Sequence, residues 1–141
     1  MPYSTDTAGQ QRSLYSAVVT TAGTATGGTI TGNMAGITRA VVQAAFTYGS
    51  GGTNCTGYVQ TSLDGGVSWV DVFAPQFATT TATSIATVEV TGGTVTVTPT
   101  DGSLAANTVV NGVLGDRWRV KVVSTGTYAA TTLAVSAVTK G

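Results

Sequence analysis

Ser62-Leu63-Asp64-Gly65-Gly66-Val67-Ser68-Trp69 places turn chemistry between two strand-like runs. Tyr58 to Thr61 lead in, and Trp69 to Phe73 lead out. Gly65-Gly66 can take positive φ at no steric cost, so the chain can reverse there. Asp64 can accept hydrogen bonds from backbone N–H groups two residues on, and Ser62 can do the same more weakly. Trp69 is large and apolar with one N–H to satisfy, which puts it at the foot of the hairpin. The stretch therefore predicts a β-hairpin.

Working outward, Cys55 to Leu63 and Trp69 to Phe73 are the arms of that hairpin. Ile37 to Tyr48 is the clearest long strand upstream. Ala40, Val42, Ala44, Phe46 and Tyr48 share one face, while Arg39, Gln43 and Thr47 take the other. Ser13 to Thr21 is strand-like. Ala22 to Asn33 is dominated by Thr and Gly and reads as a long loop, with at most a short edge strand at Thr29 to Thr31. Downstream, Ile85 to Val90 and Thr94 to Thr98 flank Thr91-Gly92-Gly93 and predict a second hairpin. Pro99 to Asn107 reads as loop, and Thr108 to Leu114 as a weak strand.

Asp116 to Val123 has the strongest alternation in the chain. Trp118, Val120 and Val122 point one way, and Arg117, Arg119 and Lys121 the other. Tyr128 to Val138 returns with Leu133, Val135 and Ala137 on one face, which predicts a third hairpin. No segment carries a helical stripe. The fold class that results is all-β: an antiparallel β-sandwich, jelly-roll-like, of about eight or nine strands. Residues 1–12 read as an extended N-terminal arm and residues 13–141 as a single β-sandwich domain.

Composition narrows the function. Only 9% of the 141 residues are charged and the formal net charge is zero, against about 25% charged in an ordinary globular chain. Thr, Ser, Gly, Ala and Asn stand where those charges would be, which suits a surface that packs on other protein as well as a β-surface solvated through its hydroxyls. There is no His, so His-based triads and imidazole bases are excluded, along with most zinc sites. The single Cys55 excludes an intrachain disulfide and reads as a small buried residue. The six Lys and Arg residues are too scattered to follow phosphates, so no nucleic-acid partner is expected. No run of about 18 apolar residues suggests a membrane span. Met1 to Gln10 lacks the apolar core of a signal peptide.

The candidate sites are few. Asp64 reads first as a residue that fixes its own turn. A glycosidase pair of Asp64 with Asp71 would need two facing carboxylates, and nothing in the sequence sets them facing. Asp101 stands alone beside Gly102, too isolated for a calcium loop. No metal or other cofactor and no enzymatic activity is expected. Arg117, Arg119 and Lys121 form the one charged row with geometry. It suits either docking of an acidic partner surface or a solvated sheet face paired with Asp116 and Glu89. Tyr48, Tyr58, Trp69 and Trp118 would make a sugar-stacking platform if exposed together, although the alternation of Trp118 with Val120 and Val122 suits core better.

The octet Ser62 to Trp69 resembles the Asp-box, Ser-x-Asp-x-Gly-x-Thr-Trp, with Ser68 in the Thr position. A four-stranded propeller blade takes about 40–45 residues, so a single box implies a hairpin inside another β fold, with Ser62, Asp64, Gly65, Gly66 and Trp69 as its structural turn. Tyr58 to Val72, together with Gly115-Asp116-Arg117-Trp118-Arg119-Val120-Lys121-Val122 and the following Gly126-Thr127-Tyr128, resembles stretches of small Thr/Gly/Ala-rich proteins of tailed-bacteriophage particles. That resemblance covers about a quarter of the chain. It implies a capsid decoration (cement) protein located on the virion and bound to the major capsid protein as a homo-oligomer, with a trimer favoured. Residues 1–12 and the loops at 22–36 and 99–112 would make the contacts. A small tail or fibre component, or a glycan-binding adsorption module, is the alternative.

Overall fold

A computed structural model of the chain describes residues 11–20, 22–31, 37–90 and 94–140. Among them are eleven strands: β1 Gln11–Val19, β2 Gly23–Thr31, β3 Arg39–Thr47, β4 Ser50–Gly51, β5 Asn54–Ser62, β6 Val70–Phe73, β7 Gln76–Phe77, β8 Ala82–Glu89, β9 Arg117–Thr125, β10 Tyr128–Ala129 and β11 Thr131–Lys140. Eight are four residues or longer; β4, β7 and β10 are two-residue pairings. The long strands form two antiparallel sheets, ordered β1-β11-β3-β8 and β2-β9-β5-β6. Numbered along the chain, the eight long strands run first-eighth-third-sixth in one sheet and second-seventh-fourth-fifth in the other. This is the jelly-roll arrangement of a double-sheet sandwich.

Alternation explains the core. In β3, Ala40, Val42, Ala44 and Phe46 are buried while their odd-numbered neighbours are not. Trp118, Val120 and Val122 of β9 and Leu133, Val135 and Ala137 of β11 join them there from the two sheets. Phe46 stacks on Phe77 with centroids 4.9 Å apart and meets Tyr128 edge-on at 5.7 Å, a favoured geometry for aromatic pairs. The Tyr128 hydroxyl donates to the Ala78 carbonyl at 2.8 Å, so its polar end is satisfied. Cys55 is fully buried, and burial pushes its thiol up to about 11, which makes it an inert core residue.

Four expectations change. The hairpin of β5 with β6 forms, but the other two do not. β9 pairs with β2 and β5, and β11 with β1 and β3, so the turn between them crosses from one sheet to the other. β8 pairs with β3, and 94–98 joins no ladder; the Thr91-Gly92-Gly93 turn lies outside the described residues. Where a loop was expected over Ala22 to Asn33, Gly23–Thr31 is a full edge strand on β9, with a register shift between Gly27 and Ile30. A ladder needs only backbone groups, so Thr and Gly suffice on an edge. Thr108 to Leu114 contributes one isolated bridge, Val109 to Phe73. Finally, Gln11 and Arg12 belong to β1, which shortens the expected arm to residues 1–10, outside the described residues.

The long connection after β8 shapes the second sheet's outer side. Residues 94–116, here called the strap, carry no strand and cross that sheet. Hydrogen bonds from Asn107 N to Ala74 O, Ala74 N to Thr108 O and Val110 N to Val72 O run it along the free edge of β6. Covering that edge removes a template for unwanted strand pairing. A Cβ at Gly115 would run into the Ser62 carbonyl, so only glycine brings the strap this close to the end of β5.

The two faces of the first sheet should respond differently to truncation. In urea denaturation, Leu133→Ala should cost about 2–5 kcal/mol through the cavity it leaves. Ile85→Ala, at a side chain 63% exposed, should stay within about 0.5 kcal/mol.

Candidate functional site

The outer face of the second sheet gathers most of the chain's polar chemistry. Register places Gln60 of β5 between Arg119 of β9 and Asp71 of β6, all pointing away from the core. Asp71 is nonetheless 1% exposed, because the strap covers it. Its carboxylate accepts from the Thr100 hydroxyl at 2.8 Å and from the backbone N–H groups of Gly102, Ser103 and Leu104 at 2.8–3.1 Å. The Gln60 amide donates to its other oxygen at 2.8 Å. The Asp71 N–H in turn donates to the Thr100 carbonyl at 2.8 Å. A buried carboxylate is costly unless its lone pairs are taken up, and here five groups do so.

Asp101 extends the network. One of its oxygens accepts from Gln60 at 2.6 Å and lies 3.2 Å from the Lys121 ammonium and 3.5 Å from the Arg119 guanidinium. Burial pushes its carboxyl up, but the Gln60 amide and the two cations outweigh burial and hold it below the ordinary value. Arg119 also donates to the Gln60 carbonyl oxygen at 2.6 Å and lies 4.5 Å from the centre of the Trp69 ring, a cation–π contact. Arg117 has Asp116 beside it at 3.9 Å. The basic row therefore does share one face, and two of its three cations hold the strap. Glu89, considered as a partner for the row, is on the other sheet opposite Arg39.

The Ser62 to Trp69 hairpin adjoins this cluster. Ser62 accepts from the N–H of Gly66 at 2.8 Å and donates to Asp64 at 2.9 Å. Asp64 accepts from the N–H of Val67 at 3.1 Å and of Ser68 at 2.9 Å, and from the Ser68 hydroxyl. The donors lie three and four residues on, one and two steps further than a two-residue Asx turn reaches. Gly65 and Gly66 take φ of 75° and 95°, as the turn requires. The Ser68 hydroxyl and N–H, with the Ser62 hydroxyl, lower the Asp64 carboxyl to about 2.

Comparison of the chain with protein-family models, curated proteins and solved structures finds no match. What the site can do therefore rests on its own geometry.

Both carboxylates of the considered glycosidase pair are taken up by folding: Asp64 closes its own turn and Asp71 clamps the strap. The aromatic platform does not assemble. Trp118 is in the core, and Tyr48, just past β3 of the first sheet, stacks at 6.4 Å on Phe46. Trp69 alone stands at an opening, a cleft of about 480 Å³ between the hairpin and the strap. Leu63, Trp69 and Val70 line one side, and Val97, Thr100 and Asp101 the other. Sequence reading missed the Asp71 clamp. Its signal was present in Thr100-Asp101-Gly102-Ser103, a turn rich in N–H donors, but nothing local tied that turn to Asp71.

The two carboxylates should answer differently to neutralisation. Asp71→Asn should cost about 3 kcal/mol or more, since it leaves buried N–H groups facing an amide, and hydrogen exchange should rise across residues 100–104. For Asp64 the folded-state carboxyl lies near 2 against an ordinary 3.8. Its stabilisation is complete above pH 3.8 and is lost as pH falls toward 2. Acid melts should show that Asp64→Asn removes this part of the pH dependence and leaves the rest.

Proposed function

We propose that the chain is a non-enzymatic virion structural protein, a decoration protein that binds the head shell of a tailed bacteriophage through the outer face of its first sheet. The observation that carries this reading is the difference between the two sheets. The strap covers the β6 side of the second sheet as far as Arg119 and Lys121 of β9, while no described residue covers the first. Across the bare face run Val18, Val41, Gln43, Ala45, Ile85 and Ala134, with Thr and Ser between them. Val18 is 60% exposed and Ile85 63%. Among the described residues, charge on this face is confined to one row at the end, Lys140, Arg39 and Glu89 in register. A flat, nearly uncharged β-surface suits broad contact with protein, because little charge must be desolvated to cover it. The jelly roll also builds viral capsid domains, which supports the reading by analogy of fold alone. The Asp-box-like hairpin and the Gly115 to Val122 stretch supply the resemblance to phage particle proteins. A trimer is the favoured assembly, since symmetric clusters match the symmetry of a shell.

Purified chain should bind shells that lack it and raise their melting temperature. Val41→Asp together with Ile85→Asp should abolish that binding and leave the chain's own melting curve nearly unchanged, since both side chains are exposed. Wild-type chain that does not sediment with the shells would remove the proposal.

A further inference from the structure

The cleft between hairpin and strap has no part in contact with a shell through the first sheet, for it lies on the opposite side of the sandwich. Its volume of about 480 Å³ falls in the range of small-ligand sites, roughly 300–1,000 Å³. Both walls are held before any ligand arrives. One is the hairpin, closed by Ser62 and Asp64; the other is the strap, clamped at Thr100, Gly102, Ser103 and Leu104 by Asp71. Arg119 occupies one face of the Trp69 ring and fixes its tilt. A wall that does not reorganise on binding lowers the ordering cost.

The lining is amphipathic in a particular way. Leu63, Val70, Val97 and the Trp69 indole offer apolar contact. Asp101 and Ser68 offer polar contact at its border. One Asp101 oxygen is taken by Gln60 and Lys121, and the second makes no hydrogen bond among the described residues. The same holds for the Trp69 ring N–H. Among the described residues, Asp101 is the only charged one in the lining.

A peptide does not suit this opening. The backbone it would need for strand addition is in use: Asp71 N–H is bonded to Thr100, and the edge of β6 further on is bonded to Thr108 and Val110. The suitable occupant is compact, with an apolar face for the indole and hydroxyls for a carboxylate. We propose that this cleft binds a neutral pyranose saccharide of one or two rings. The polarised C–H face of the ring would lie on the electron-rich indole, and adjacent hydroxyls would donate to Asp101. Sugar acids would find no cation to pair with, because Arg119 and Lys121 are already engaged by Asp101 and neither lines the cleft. If the first sheet rests on a shell, the cleft faces outward, where a surface glycan is within reach.

The test uses the full chain, free of any particle, so it is independent of shell binding. Cellobiose, maltose, lactose and melibiose, with N-acetylneuraminic acid and glucuronic acid as the acidic set, are followed by saturation-transfer NMR and tryptophan fluorescence. Trp118 is buried, so a saccharide-dependent emission change reports Trp69. At least one neutral disaccharide should bind saturably, and the acids should bind more weakly. Trp69→Ala should weaken binding about tenfold or more. Val97→Trp, which fills the cleft without touching the Asp71 clamp, should block binding while the melting curve keeps its midpoint. Absence of binding by every neutral disaccharide overturns the site, as does binding that survives Val97→Trp, or tighter binding of the acids.

Discussion

The Asp71 carboxylate is the constraint on which the outer half of this molecule depends. It sits on a strand position that points away from the core, yet it is buried, because the strap closes over it. An ionised carboxylate in such a place is tolerated only when hydrogen-bonded, and the strap supplies the donors as one turn of backbone. The interaction is therefore reciprocal: the strap buries the charge, and the charge determines where the strap lies. Once Thr100 to Leu104 are held there, Asp101 comes to Arg119 and Lys121, and Arg119 in turn comes to Trp69. The cleft is the space left between that fixed loop and the hairpin.

The same interaction makes the sandwich asymmetric. A jelly roll has two outer faces of similar area, and alternation alone would leave both of them open. Here the strap lies across the second sheet and along the edge of β6. The first sheet has no such cover among the described residues, and its outward side chains are mostly too small and too weakly polar to form a network of their own. One face is thus closed by internal chemistry and the other stays open among the described residues.

Which residues face inward was legible from the sequence, because period two is a local property. Ala40 to Phe46, Trp118 to Val122 and Leu133 to Ala137 are buried as their alternation implies. Which strands pair was not legible beyond the β5–β6 hairpin. A short turn between two alternating runs suggests a hairpin, but Ser124 to Thr127 connects strands in different sheets, and jelly-roll pairing joins residues far apart in sequence. The strict Thr-Val-Thr-Val at 94–97 is β-prone and still joins no ladder, although β8 lies at the edge of its sheet. β2 shows the converse: Thr and Gly carry little pattern, but an edge ladder is made by backbone. The turn of Ser62 to Trp69 could be read because its donors and acceptors lie within a few residues of one another. The Asp71 clamp could not, because its donors come some thirty residues later.

The scarcity of charge takes on a different meaning beside these contacts. Asp64, Asp71, Asp101, Arg119 and Lys121 are engaged in closing a turn and holding a loop, and Arg39, Glu89 and Lys140 are gathered in one row at the end of the bare face. Most ordinary soluble domains scatter their charges over the surface, where like-signed fields keep neighbours apart. In this chain five of the twelve charges serve as internal ties, and apart from that one row the outer face of the first sheet is mostly hydroxyl and methyl. Such a surface does little to resist approach by other protein. The composition and the bare sheet are thus two views of one property, and the uncharged face follows from where the few charges were needed.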